Sequence, residues 1–169
     1  MEPRVEIVNI VATIKLDPMP DPKEILEEIP GSRPVKRFRG AMLRIGKTPV
    51  LFYKKKIIVT GVKNTEELED VIKKLVGILH RYGVKVEPKD YEIVNVTAKT
   101  ELNRKINLVE AAEKLNGIYD PDYRPYVLAK IDNTVVIVSQ NGKIVLLSSP
   151  SVEYARGIMR KILGLILHK

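Results

Sequence analysis

The sequence predicts an α+β protein made of two copies of one strand-rich unit, and three observations carry that prediction. Glu6-Ile7-Val8-Asn9-Ile10-Val11-Ala12 returns as Glu92-Ile93-Val94-Asn95-Val96-Thr97-Ala98, an offset of 86 residues. Lys56-Ile57-Ile58-Val59 returns as Lys143-Ile144-Val145-Leu146 at an offset of 87, a slip that one inserted residue near Asn141 explains. Each copy then runs through a polar start into an amphipathic helix. Asn64 precedes Leu68, Val71, Ile72, Leu75 and Leu79, while Ser149-Pro150 precedes Val152, Ala155, Ile158 and Leu163. Self-similarity at this period divides the chain into repeats at 1–88 and 89–169.

Within each repeat the elements follow in one order. The opening segments, apolar and β-branched around a central Asn, read as strands. Short helices are expected from Pro22 to Glu28 and from Leu108 to Leu115. Strands near 34–38, 41–46, 49–53 and 56–61 are separated by Gly40, Gly46 and a Lys54-Lys55 turn, which suits an antiparallel meander. Strand, helix, four strands and long helix, taken twice, give ten strands with helices covering one face. An Asn inside an apolar strand is costly unless something satisfies its amide, so Asn9 and Asn95 at matching positions point to a shared partner.

Composition narrows the function. The 169 residues are long enough for one core or two fused small ones. Lys and Arg number 29 against 21 Asp and Glu, a net charge of +8 that favours polyanionic partners. Absence of cysteine excludes disulfides, thiol catalysis and thiolate metal sites. One glutamine, Gln140, beside abundant Lys and Glu matches proteins of hot habitats. The start, Met1-Glu2-Pro3-Arg4, shows no secretory signal, and the apolar run Ile162 to Leu167 is far short of the roughly 20 residues a membrane span needs, so a cytoplasmic, nucleoid-associated protein is expected. His80 and His168 are the only histidines, and no Gly-rich phosphate loop appears. Glu66, Glu67, Glu69 and Asp70 cluster at a helix start, where carboxylates complement exposed N–H groups. An enzyme is therefore not expected, nor a cofactor, a metal or a small-molecule substrate.

With these residues in view the whole chain resembles the TATA-box-binding protein family, in its archaeal type. Ile7 to Ala12 is similar to the family's opening strand, Phe38-Arg39-Gly40 to its Phe-Pro-Gly segment, and Phe52 with Lys56 to Gly61 to the strands entering the long helix. In the second repeat Tyr119-Asp120-Pro121-Asp122 resembles the family's Tyr-Glu-Pro-Glu, and Gly142 to Leu146 its Gly-Lys-Ile-Val-Leu. The resemblance implies a saddle of ten antiparallel strands in two pseudo-symmetric repeats, with four helices on the convex back and DNA against the concave face. Asn9 and Asn95 would donate to minor-groove acceptors, with Val11 and Thr60 beside one and Thr97 and Leu147 beside the other. Phe38 and Phe52 would be the base-step wedges, against the alternative that both are core residues. Arg39, Lys54, Lys56 and Lys143 would face the duplex, and Asp120, Asp122 and Tyr123 would meet transcription factor B.

Two features qualify the resemblance. Between Glu28 and Glu66 there is no acid, while Arg33, Lys36, Arg37, Arg39, Arg44, Lys47, Lys54, Lys55, Lys56 and Lys63 all occur, as a phosphate-facing surface requires. A lysine-blunted hairpin edge would explain Lys54 to Lys56 alone. The 86-residue offset carries Phe38 to Arg124 and Phe52 to Val138, so the second wedge pair is missing unless Tyr123 substitutes after a one-residue slip. The expectation is a divergent initiation factor that kinks A·T-rich DNA from one side; the alternative is an interaction module that has kept the fold and lost promoter binding.

Overall fold

Alternation of apolar side chains at every second residue sets the layers of the computed structural model, which describes residues 4–167. Strand β1 (Glu6–Asp17) buries Ile10, Ala12, Ile14 and Leu16 on one side. Helix α1 (Pro22–Glu28) follows, with Asp21 as its cap: the carboxylate accepts the Lys23 N–H at 2.9 Å. Strands β2 (Arg33–Val35), β3 (Gly40–Ile45), β4 (Thr48–Phe52) and β5 (Ile57–Val62) lead to α2 (Thr65–Arg81), capped by Asn64 through the Glu67 N–H at 2.8 Å. The second series is β6 (Glu87–Glu101), α3 (Leu108–Leu115), β7 (Tyr126–Ile131), β8 (Thr134–Ser139), β9 (Lys143–Ser149) and α4 (Val152–Leu167). Ser151 rather than Ser149 starts α4, its hydroxyl accepting the Tyr154 N–H at 3.0 Å.

The chain folds into two compact units. One is Asn9–Val94, with strands in the order β2-β3-β4-β5-β1; the other is Asn95 onward together with the start of the chain through Val8, ordered β6-β9-β8-β7. All pairings within them are antiparallel. These spatial units divide the chain differently from the sequence repeats 1–88 and 89–169, because the first residues are held by the later repeat. The Thr100 hydroxyl donates to the Arg4 carbonyl at 2.8 Å, and Lys99 Nζ lies 3.8 Å from the Glu6 carboxylate. In the first unit Ile25, Leu68, Leu75 and Leu79 close over Val50, Phe52, Ile57 and Val59; in the second Leu115, Met159 and Ile162 close over Val136, Val138, Ile144 and Leu146. Tyr91 tethers the start of β6 to α2 by donating to Glu69 at 3.0 Å, and that bond holds the phenol above its ordinary pKa.

Nine strands are found among the described residues, not ten. The counterpart of β2 shrinks to Ile118, which exchanges two hydrogen bonds with Leu128 at 2.8 and 2.9 Å. Asn116 ends α3 in the left-handed conformation, and Gly117 passes so close to β7 that a Cβ there would sit 2.9 Å from the Leu128 oxygen. Beyond Ile118 the chain turns at once: the Tyr123 and Arg124 N–H groups both donate to the Asp120 carbonyl at 3.0 Å, and Pro121 has no N–H for a ladder.

Both units carry a bulge at equivalent positions, between Ile10 and Val11 and between Val96 and Ala98. The extra residue on the facing strand is left-handed in each: Gly61 at φ 94° and Ser148 at φ 65°. Glycine accepts this conformation freely and serine does not. Ser148→Gly should therefore stabilise the fold by about 1 kcal/mol and raise the melting temperature by about 2–4 °C, as read by thermal unfolding.

Candidate nucleic-acid interface

Opposite the helix-covered side, each strand leaves a second row of side chains, half-buried by their neighbours alone. In the first unit Val11 lies cross-strand from Thr60 and Thr13 from Ile58; Ile58 then faces Leu51, and Leu51 faces Met42. These six are all neutral and partly accessible. Ten cations lie between Arg33 and Lys63, every one exposed. Lys54, Lys55 and Lys56 crown the β4–β5 hairpin, closed by the Tyr53 N–H donating to the Lys56 carbonyl at 2.9 Å.

Asn9 sits at the start of this row, and its amide is oriented by the bulge. Its Oδ1 accepts the Gly61 N–H at 2.7 Å. A backbone N–H can only donate, so this bond assigns oxygen and nitrogen without ambiguity and leaves both Nδ2 hydrogens for another acceptor. In the second unit Asn95 is also half-buried, but its Oδ1 is buried with no hydrogen-bond partner among the described residues. An unsatisfied buried acceptor costs about 1–3 kcal/mol, and no bond orients this amide as the Gly61 N–H orients that of Asn9.

Thr97 and Leu147 flank Asn95 on the same open side, followed by Val145, Ile137, Leu128 and Tyr126. Charge on the facing strands β6 and β9 is compensated. Lys143 stands cross-strand from Glu101, and Lys99 Nζ is 3.8 Å from Glu6 and 3.7 Å from Glu101. The hairpin matching the lysine turn is the neutral Gln140-Asn141, closed by the Gly142 N–H on the Ser139 carbonyl at 3.1 Å. The cluster of bare cations therefore belongs to the first unit.

Phe38 and Phe52 part company. Phe38 is 79% exposed in the Arg37–Arg39 turn, with both it and Arg39 left-handed, at φ 61° and 50°. Phe52 has 0% exposure, cross-strand from Ile57 and Ala41 in the core. A ring with no free surface cannot enter a base step, so the expectation of DNA contact by Phe52 is corrected: it is a core residue. Its neighbour Tyr53 is the ring beside Phe38, edge-on with centroids 6.2 Å apart and planes at 83°. Gly40 makes the room, since a Cβ there would lie 2.6 Å from the Tyr53 ring. Sequence reasoning missed Tyr53, although strand alternation carried the signal: Val50 and Phe52 share a side, and Leu51 and Tyr53 share the other.

In the second unit Val138 is fully buried, whereas Arg124 is partly exposed and holds its guanidinium 5.9 Å from the Tyr126 ring centroid. Asp120, Asp122 and Tyr123 fall in one turn. The Asp120 carboxylate accepts the Asp122 N–H at 3.2 Å, Asp122 is exposed, and Tyr123 is 84% exposed. His80 contacts the Val86 carbonyl at 2.6 Å, and His168 lies outside the described residues. No cluster of three or more metal-ligating side chains occurs among the described residues, and no helix there is long and apolar enough to cross a membrane.

The family model described as Transcription factor TFIID (or TATA-binding protein, TBP) matches residues 4–82 and again 90–168. The TATA-box-binding protein of Sulfolobus acidocaldarius is 30% identical over 166 residues, covering 94% of this chain and 84% of that protein. That of Methanocaldococcus jannaschii is 30% identical over 174 residues, covering 98% and 95%. Among solved structures, Methanococcus jannaschii TBP is similar with a TM-score of 0.84 at 27% identity, covering 98% of this chain and 99% of its own.

The two phenylalanines should separate cleanly on substitution. Phe52→Ala is expected to lower stability by about 3–5 kcal/mol in urea unfolding, and Phe38→Ala by no more than about 0.5 kcal/mol.

Proposed function

Since the chain belongs to the TATA-binding protein family, we propose that it is a transcription initiation factor that grips A·T-rich duplex DNA through the minor groove and kinks it from its first repeat, residues 1–88. The observation that carries this reading is the neutral row ending in an oriented Asn9 amide, in a unit that exposes ten cations between Arg33 and Lys63. A·T pairs present only acceptors in the minor groove, while guanine adds an amino donor. Asn9 donates from Nδ2 to those acceptors, and Val11 and Thr60 fill the space a guanine amino group would need. Asn95, Thr97 and Leu147 make the corresponding contacts from the second repeat, residues 89–169. Arg39, Lys54 and Lys56 neutralise phosphates; Lys143, beside Glu101, contributes less.

Kinking falls to the Phe38–Tyr53 pair, whose insertion unstacks one base step at a cost of a few kcal/mol that wider contact offsets. No such pair exists at Arg124 and Val138. That absence is the one feature favouring the second reading, an interaction module without promoter binding. On the DNA-binding reading the protein is nucleoid-associated, and the Asp120–Tyr123 turn offers two carboxylates and an exposed ring to transcription factor B.

Three measurements test this. A dye-labelled A·T-rich duplex should bend on addition of the protein, and Phe38→Ala should abolish most of the bend while weakening binding by about tenfold. Binding should fall steeply with salt, the slope decreasing by about 2 when Lys54 and Lys56 are both replaced by Gln. Duplex binding without salt dependence would leave the interaction-module reading standing. Finally, Asp120→Ala with Asp122→Ala should weaken the complex with transcription factor B and spare DNA affinity; equal loss of both would refute the turn's assignment.

A further inference from the structure

Where the first repeat carries Phe38 beside the Tyr53 ring, the second carries Arg124 beside the Tyr126 ring. Tyr126 shares its register with Leu128 and Lys130, while Val127, Ala129 and Ile131 between them are buried. Its ring therefore lies on the open side of β7, in the row that runs through Leu128, Ile137 and Val145. Arg124 is fixed at the mouth of that row. Its backbone N–H is tied to the Asp120 carbonyl at 3.0 Å, Pro125 after it restricts its backbone, and its guanidinium stands 5.9 Å from the Tyr126 centroid. Among the described residues no carboxylate forms an ion pair with it.

We infer that Arg124, steadied on Tyr126, reads a narrow A·T minor groove at the second repeat's end of the site, so that the protein sets its own direction on DNA. The inference rests on the minor-groove reading above and adds a specificity determinant to it. A wedge and an inserted guanidinium want opposite things from the duplex. Driving aromatic rings into a step unstacks it and opens the minor groove, easiest at flexible pyrimidine–purine steps. A guanidinium is drawn instead to the enhanced negative potential of a narrow groove, as stiff A-tracts provide, and finds only acceptors there. The first repeat therefore prefers a flexible step and the second an A-tract. A site with one of each can be occupied in only one favourable direction.

Because the chain has no cysteine, Gln140→Cys places a single thiol on the exposed β8–β9 hairpin of the second unit, where an iron chelate can cut nearby DNA. On a duplex with a TA step at one end and an A-tract at the other, cleavage should favour the A-tract end by about tenfold. Arg124→Ala should reduce that bias to below about twofold, Arg124→Lys should restore only part of it because the planar fork is lost, and Tyr126→Ala should act in the same direction. Bend and salt dependence measured on the same variants separate the two proposals. Equal cutting at both ends by the parent protein, or an unchanged bias in Arg124→Ala, with normal bending in either case, would overturn the directional inference alone. Failure of the parent to bind or bend the duplex would overturn the minor-groove reading with it. Thermal unfolding of each variant guards against misfolding, and Arg124→Lys, which keeps charge and stem, provides a reading even where Arg124→Ala loses stability.

Discussion

Burial of one row of side chains from every strand fixes the other row, and the remaining features follow from that constraint. Once Ile10, Ala12 and Ile14 are committed to the helices, Asn9, Val11 and Thr13 have no choice of side. Burial of Phe52 likewise commits Tyr53 to the surface, and burial of Val127 commits Tyr126. The open face is thus held by the hydrophobic energy of the covered one, and it needs no helix of its own. Its neutrality is also imposed from below, since a half-buried position in a tight sheet is a poor place for an unpaired charge.

Much of this was legible in the sequence. The repeat of Glu6–Ala12 at Glu92–Ala98 and the two amphipathic helices located nearly every element, because periods of 2 and 3.6 are written directly in the apolar pattern. What the pattern did not carry were the ends of ladders. The strand expected in the second repeat stops at Ile118 because a left-handed Asn116 and an immediate turn leave no room for a second pair, and neither is an apolar signal. The site was half legible. Asn9, Val11 and Thr60 lie together as the resemblance implied, yet the same likeness drew attention to Phe52, and only its parity with Val50 argued for the core. The start of the chain joining the later repeat rests on the Arg4–Thr100 bond, between residues 96 apart in sequence, which no local pattern encodes.

The repeats have kept one backbone and diverged in side chains. Both have the bulge, but only the first has the glycine that suits it and the amide bond that orients its Asn. Both have the hairpin, but only the first has the lysine triplet on it, and the second sets Lys99 and Lys143 beside Glu101. Backbone geometry is conserved between the halves because packing enforces it, whereas the exposed residues answer to partners and are free to differ.

The divisions between the two units fall inside β1, after Val8, and inside β6, after Val94, rather than in a tether. A nick at either point severs a hydrogen-bonded strand, and a cut between α2 and β6, which leaves both strands whole, still takes Arg4 and Glu6 from Thr100 and Lys99, their partners in the later repeat.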